Sequence, residues 1–194
     1  MPGRHSAFTA LGFLGTLADL RQEIRALYAA DEVPWIVGYS GGKDSTATLQ
    51  LIWSAIAELP PDRRRKTIHV ISTDTLVENP IVSAWVENSL QVMARNAAQA
   101  AMPVAPRLLR PKLEDSFWVN LIGRGYPAPR YKFRWCTERL KIAPPNTFIT
   151  NIVSATGEAI LVLAPAKRRA SAGPRVWQST RKAVCAIGSV PTPG

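Results

Sequence analysis

Apolar residues recur along this chain with two different spacings. Leu17, Leu20, Ile24, Leu27 and Tyr28 share one face at intervals of three and four, which predicts an amphipathic helix over Leu17–Ala29. Pro34 separates it from a short continuous apolar run, Trp35-Ile36-Val37-Gly38, read as a buried strand. A second helix is expected from Ser45 to about Glu58, stopped by Pro60-Pro61. Lys66–Ser72 reads as a strand on the strength of Ile68, Val70 and Ile71. Pro80 opens a long helix through Trp85, Leu90, Val92 and Met93 to about Ala101, and Pro106–Arg110 follows as a third strand. Asn146–Ala155 reads as a helix ended near Gly157, with Ala159–Leu163 as a further strand. Strands alternating with helices predict an α/β fold whose parallel sheet is covered on both faces. Such sheets take ligands beyond the carboxyl ends of their strands, near a topological switch. Ser40 and Asp74 both follow apolar strands, so both are candidates to line that crevice.

Between the first strand and the second helix lies Tyr39-Ser40-Gly41-Gly42-Lys43-Asp44-Ser45-Thr46. A strand, a glycine turn and a helix N-terminus in that order present backbone N–H groups to an anion, and the helix dipole adds partial positive charge. Gly41 and Gly42 allow close approach of the backbone, and Lys43 brings a full charge. Asp44 would repel a bare phosphate. A magnesium ion, which takes hard oxygen ligands and is shared between carboxylate and phosphates, resolves that conflict. The loop therefore reads as a site for a magnesium-bound polyphosphate, set against the plainer reading of a glycine turn capped by Ser45 or Thr46. A Walker A loop would need Gly at Val37 and Ser or Thr at Asp44. A dinucleotide fingerprint would need a third glycine near Ser45.

Ser40–Thr46 resembles the pyrophosphatase loop of the ATP pyrophosphatases, the PP-loop superfamily that includes phosphoadenosine phosphosulfate (PAPS) reductases. Four longer blocks, Val37–Leu51, Val70–Glu78, Phe117–Pro129 and Lys132–Ile142, resemble the DndC family of DNA sulfur-modification (phosphorothioation) proteins, and the similarity runs from about Leu17 to Leu163. The resemblance implies a three-layer, parallel-sheet fold of the adenine-nucleotide alpha-hydrolase-like (PP-loop) type, incomplete at its C-terminus. It divides the chain into an N-terminal extension (1–16), a PP-loop ATP pyrophosphatase domain (17–164) and a tail (165–194). It implies ATP and magnesium held by Ser40, Gly41, Gly42, Lys43, Asp44, Ser45 and Thr46, with Asp44 as the magnesium ligand. Asp74 and Arg134 would contact the nucleotide, and Lys43, Arg139 and Lys141 would stabilise charge during the reaction. The implied activity is of ATP pyrophosphatase and sulfurtransferase type, with DNA, a cysteine desulfurase and other sulfur-modification components as partners. A PAPS-reductase-like redox enzyme and an inactive, truncated nucleotide-binding module are the alternatives. The redox enzyme expects a reactive C-terminal cysteine, for which Cys185 alone is available.

The segment from Arg124 to Lys141 interleaves Arg124, Arg130, Lys132, Arg134, Arg139 and Lys141 with Tyr126, Tyr131, Phe133 and Trp135. Arginines suit bidentate phosphate contacts and aromatics stack on bases; equally, the aromatics can be core and the cations solvated. Cys136 stands among these cations, and Arg134 and Arg139 would favour its thiolate, as a sulfur carrier or cluster ligand. An inert buried thiol is the other reading. Two cysteines form no disulfide framework and cannot hold an iron–sulfur cluster, so the cluster expected of the full-length family is expected to be absent here. Asp74 in Thr73-Asp74-Thr75 is either a nucleotide or cation contact or a turn-forming Asp. His5 and His69 carry no assigned chemistry.

The net charge of +10 points to a polyanionic partner, but it is unevenly placed. Lys167, Arg168, Arg169, Arg175, Arg181 and Lys182 account for six of the excess charges, and no acidic residue follows Glu158. A solvated, disordered end is the preferred reading of this tail. In the resembled family the last strand continues as Gly-Thr-Arg-Lys-Ala-Glu-Ser. A codon string for that peptide, stripped of one G, translates as Ala-Pro-Ala-Lys-Arg-Arg-Ala, the sequence of Ala164–Ala170. Trp177-Gln178-Ser179-Thr180 is likewise Met-Ala-Lys-His read out of frame. A frameshift near Ala164 is the resulting hypothesis, and sequencing the source DNA tests it. Near the N-terminus, Gly12, Gly15 and Thr16 dilute the apolar stretch that a signal peptide would need, and no run reaches membrane-span length, so a reducing, cytoplasmic setting is expected.

Overall fold

Alternation within single strands decides the layering. In the computed structural model, which describes residues 11–164 and 185–186, Trp35 and Val37 of β1 (Trp35–Gly38) face one way and Ile36 the other. On the first face, Trp35, Val37, Ile68 and Val70 pack beneath α1 (Gly12–Ala29), α2 (Lys43–Ala57) and α3 (Pro80–Gln99), through Tyr28, Leu49, Ile52, Ile56, Val86 and Leu90. On the second face, Ile36 and Ile71 pack beneath α4 (Ala143–Thr156), through Phe148, Ile149, Ile152 and Val153. Both faces of the sheet are thus covered, and the strands carry near-continuous apolar runs for that reason.

The sheet runs in the order β3 (Val104–Leu109), β2 (Ile68–Thr73), β1, β4 (Ile160–Val162), and these four strands are all parallel. The register places Trp35 beside both Ile68 and Ile160. A two-residue strand, β5 (Cys185–Ala186), adds antiparallel to β4 at the edge. The chain moves outward from β1 to β3, then crosses back to place β4 on the other side of β1. The topological switch therefore lies between β1 and β4.

Several boundaries differ from the sequence pattern. Helix α1 starts at Gly12, so residues 12–16, expected to belong to an extension, are helical. Helix α4 starts at Ala143, three residues earlier than its apolar period suggested, because the helical run through Thr137–Ile142 continues into it without a break, Ala143 N–H bonding to the Glu138 carbonyl. Strand β3 starts at Val104 rather than Pro106; as an edge strand it tolerates the proline. The segments Val119–Gly123 and Thr137–Ile142 form π-helical turns, with Arg124 N–H bonding to the Val119 carbonyl at 2.9 Å. Residues 1–10 and the expected disordered, out-of-frame tail lie outside the described residues, apart from the backbone of β5.

Two polar devices tie neighbouring elements together. The Arg64 guanidinium donates to the carbonyls of Ala57, Leu59 and Ala100, joining the C-terminal ends of α2 and α3. The Lys66 side chain is 1% exposed, donates to Asp31 Oδ1 at 2.5 Å, and sits over the Tyr28 and Trp35 rings at 5.1 and 5.4 Å. The Tyr28 hydroxyl in turn donates to the Lys66 carbonyl at 2.7 Å.

Candidate functional site

Because the strands are parallel, every helix that follows one begins at the same edge of the sheet. The loops after β1 and β2, the end of β4, and the first turns of α2, α3 and α4 all meet at the carboxyl edge, around a cleft of about 640 Å³. Ser45 of α2, Ser83 of α3 and Asn146 of α4 line it, and the N-termini of α2 and α3 direct partial positive charge at this space, while α4 continues the helical run of Thr137–Ile142. Gly38 and Leu161 of the β1–β4 pair form its floor with Ile71 of β2.

The Ser40–Thr46 turn is held by its own hydroxyls. Ser45 Oγ donates to the Gly42 carbonyl at 2.9 Å and accepts from the Ser40 N–H at 3.3 Å; the two serine hydroxyls are 3.2 Å apart. Gly42 is the N-cap, and Thr46 N–H is the first to bond back along the helix, to the Gly42 carbonyl at 3.0 Å. The N–H groups of Lys43, Asp44 and Ser45 precede it and have no acceptor among the described residues. Gly41 has φ +72°, and a Cβ there would lie 2.3 Å from the Trp85 ring, so the turn requires glycine on two counts.

The candidate residues divide. Ser40, Ser45, Asp74 and Lys141 line the cleft. Gly41, Gly42, Lys43, Asp44 and Thr46 belong to the same turn but not to the cleft wall; Lys43 is largely exposed and donates to Asp44 Oδ1 at 2.6 Å. Asp74 forms a turn, Oδ1 accepting from the Leu76 N–H at 2.9 Å, and Oδ2 accepts from Arg110 Nε at 3.2 Å. Lys141 stands 3.6 Å from Glu78 across the cleft mouth.

Arg134, Arg139 and Cys136 are not among the cleft residues. Arg134 sits over the Tyr131 ring at 5.4 Å. Arg139 donates to Asp115 Oδ1 and to the Tyr126 hydroxyl, both at 2.9 Å. It braces the Thr137–Ile142 turn that carries Lys141 to the cleft. Cys136 is half-buried and is a free thiol. Sequence reasoning missed Glu78, Ser83 and Asn146. Glu78 had a usable signal in its place just ahead of the Pro80 helix start, whereas Ser83 and Asn146 are ordinary polar residues until the fold brings them to one cleft.

Asp44 would offer one hard oxygen ligand at the helix start, and a magnesium ion shared with phosphates would need no larger protein ligand set. No cluster of three or more His, Cys, Asp or Glu side chains occurs among the described residues. Two cysteines in the whole chain do not fit a cluster that takes four thiolates. No helix among the described residues is long and apolar enough to cross a membrane.

No protein-family model matches the chain. An uncharacterized protein of Methanocaldococcus jannaschii, MJ0066, is 31% identical over 126 residues, covering 65% of this chain and 22% of that protein. The chain thus spans about a fifth of that relative's length.

Proposed function

We propose that this chain is a PP-loop ATP pyrophosphatase-type module that activates a DNA backbone phosphate for sulfur incorporation. The observation that carries the reading is the joining of the Ser40–Ser45 turn, with its free helix amides, to a cleft at the β1–β4 switch point. ATP is the substrate. Its phosphates lie against the amides of Lys43, Asp44 and Ser45 and the hydroxyls of Ser40 and Ser45. A magnesium ion, held by Asp44, supplies charge neutralisation to the phosphates when bound. A non-bridging oxygen of DNA phosphate attacks the α-phosphorus, the α–β bond breaks, and pyrophosphate leaves with the bond's electrons. Lys43 swings from Asp44 to the phosphates, and Lys141 leaves Glu78 to meet the incoming polymer or the departing charge. A persulfide from a cysteine-desulfurase partner then attacks the DNA phosphorus and displaces AMP, and a thiol cleaves the resulting S–S bond by disulfide exchange, leaving the sulfur in a non-bridging position. No step passes through an iron–sulfur cluster.

A second reading, a nucleotide-binding module without turnover, is favoured by one observation: Arg139 is engaged by Asp115 and Tyr126 rather than by the cleft. Pyrophosphate release and ATP binding, measured in parallel with and without DNA, separate the two. Binding with DNA-dependent release supports the enzyme; binding with no release supports the module. Release that persists undiminished in Lys43→Ala contradicts the assigned role of the loop.

A further inference from the structure

Between Phe117 and Trp135 the chain contains four cations and no carboxylate. Within it, Arg130 and Phe133 exchange two backbone hydrogen bonds of 2.9 Å, closing a tight two-residue turn at Tyr131-Lys132. Tyr131 is 85% exposed at the tip, and the Arg134 guanidinium lies over its ring. Arg130, Lys132, Phe133 and Arg134 are exposed around it. A tyrosine so exposed contributes little to folding, and at a braced tip its ring is accessible to a partner.

The bracing comes from the next residue, Trp135. It is buried, donates from Nε1 to the Pro127 carbonyl at 3.0 Å, stacks on Phe117 at 5.3 Å and meets Tyr126 edge-on at 5.4 Å. Phe117 in turn meets Trp118 edge-on, and Tyr126 holds Arg139. The turn therefore projects from a packed aromatic base. That same base runs on into the Thr137–Ile142 turn, which delivers Lys141 to the cleft.

We propose that the Arg130–Arg134 turn is a finger for single-stranded nucleic acid, with Tyr131 stacking on an unpaired base and Arg130, Lys132 and Arg134 meeting the flanking phosphates. The chemistry selects this partner. A polyanion alone is satisfied by cations, and an apolar protein surface by Phe133 and its neighbours. An open aromatic face backed by a guanidinium and ringed by cations fits a strand carrying both π faces and phosphates. The finger rests on the proposed function for the identity of its polymer, DNA, while its geometry is independent of the nucleotide cleft.

The test is fluorescence anisotropy of a labelled single-stranded DNA 12-mer on the full chain, with ATP binding measured by calorimetry on the same preparations. Tyr131→Ala is expected to weaken strand binding roughly 5- to 100-fold, and Tyr131→Phe to stay within about two-fold of wild type. Lys132→Ala is expected to weaken binding and flatten its salt dependence. All three variants keep the wild-type circular dichroism and ATP affinity. Wild-type strand affinity in Tyr131→Ala, or equal losses in the Ala and Phe variants, overturns the stacking role. Preference for a blunt duplex, or displacement of the strand by polyglutamate at equal charge, overturns the single-strand assignment. A chain that binds ATP but no strand sinks the finger and leaves the cleft reading standing; Tyr131-dependent strand binding without ATP binding does the reverse.

Discussion

Gly41→Ala is the sharpest test of how the turn is built. The residue sits at φ +72°, and for a side chain-bearing residue the left-handed region costs about 1–2 kcal/mol. The new Cβ would also lie 2.3 Å from Trp85 Cζ3, 3.1 Å from Cε3 and 3.1 Å from Val86 Cγ2. Trp85 is 50% exposed, so its ring can swing outward rather than force the backbone apart. That movement costs about 0.5–1.5 kcal/mol off its rotamer, plus part of its buried half. Together these give a destabilisation of about 2–4 kcal/mol for Gly41→Ala. Trp85→Ala alone gives up about 100 Å² of buried ring, at most about 2.5 kcal/mol. In the double variant the clash with the ring is gone, and the backbone cost and the tight contact with Val86 remain. The pair should therefore fall short of additivity by about 1–2 kcal/mol. Urea unfolding followed by circular dichroism, with slopes compared across all four proteins, gives the cycle. An unchanged midpoint for Gly41→Ala would refute the strain, and additivity within about 0.5 kcal/mol would refute the contact with Trp85.

Lys43→Ala should reduce pyrophosphate release by about 100- to 1,000-fold, the usual loss when one charge-stabilising donor is removed; an enzyme-coupled phosphate assay reads this directly. Lys66→Ala strips the buried ammonium from between Tyr28, Trp35 and Asp31 and should cost about 1–3 kcal/mol in denaturant unfolding. Burial alone would raise the Asp31 carboxyl, but the Lys66 hydrogen bond, the Val33 N–H and the Lys66 charge outweigh it and hold it below 3.8. Its contribution is present above pH 3.8 and lost as pH falls through the lowered folded value, so acid unfolding should shift in Lys66→Ala. Burial pushes the His69 imidazole below its ordinary 6.5, and the Arg107 charge adds to this. The His69 ring packs edge-on against Phe148 with no hydrogen-bond partner for Nδ1 among the described residues. A proton therefore binds the unfolded chain more readily, and stability should be full above pH 6.5 and decline as pH falls below it. Thermal melts between about pH 7.5 and 5.5 should show that slope in wild type and a smaller one in His69→Phe.

The order of elements was legible because each buries one face. The spacing of Leu17, Leu20, Ile24 and Tyr28 is helical whatever they pack against, and Ile68, Val70 and Ile71 read as a strand for the same reason. The Ser40–Ser45 turn was legible for a local reason as well, since glycines admit the positive φ that Gly41 takes and small hydroxyls bond to nearby backbone at a helix start. The π-helical turns were not legible. The Thr137–Ile142 turn is tied to a partner far along the chain, Arg139 to Asp115, and Val119–Gly123 is closed by the returning chain, the Asn120 carbonyl accepting from the Tyr126 N–H. The fate of the cations depends on those turns. Lys141 reaches the cleft, Arg139 is engaged in bracing, and Arg134 lies on Tyr131.

Local chemistry alone thus determined the alternation of strand and helix and the glycine turn between β1 and α2, because both arise from side chains within a few residues of one another. Which strand neighbours β1, and so where the sheet opens, was decided only when α4 crossed to the opposite face and set β4 beside it. The cleft is a product of that crossing: two helix starts, the junction of Thr137–Ile142 with α4 and two loops, distant in sequence, share one edge because parallel strands all end there.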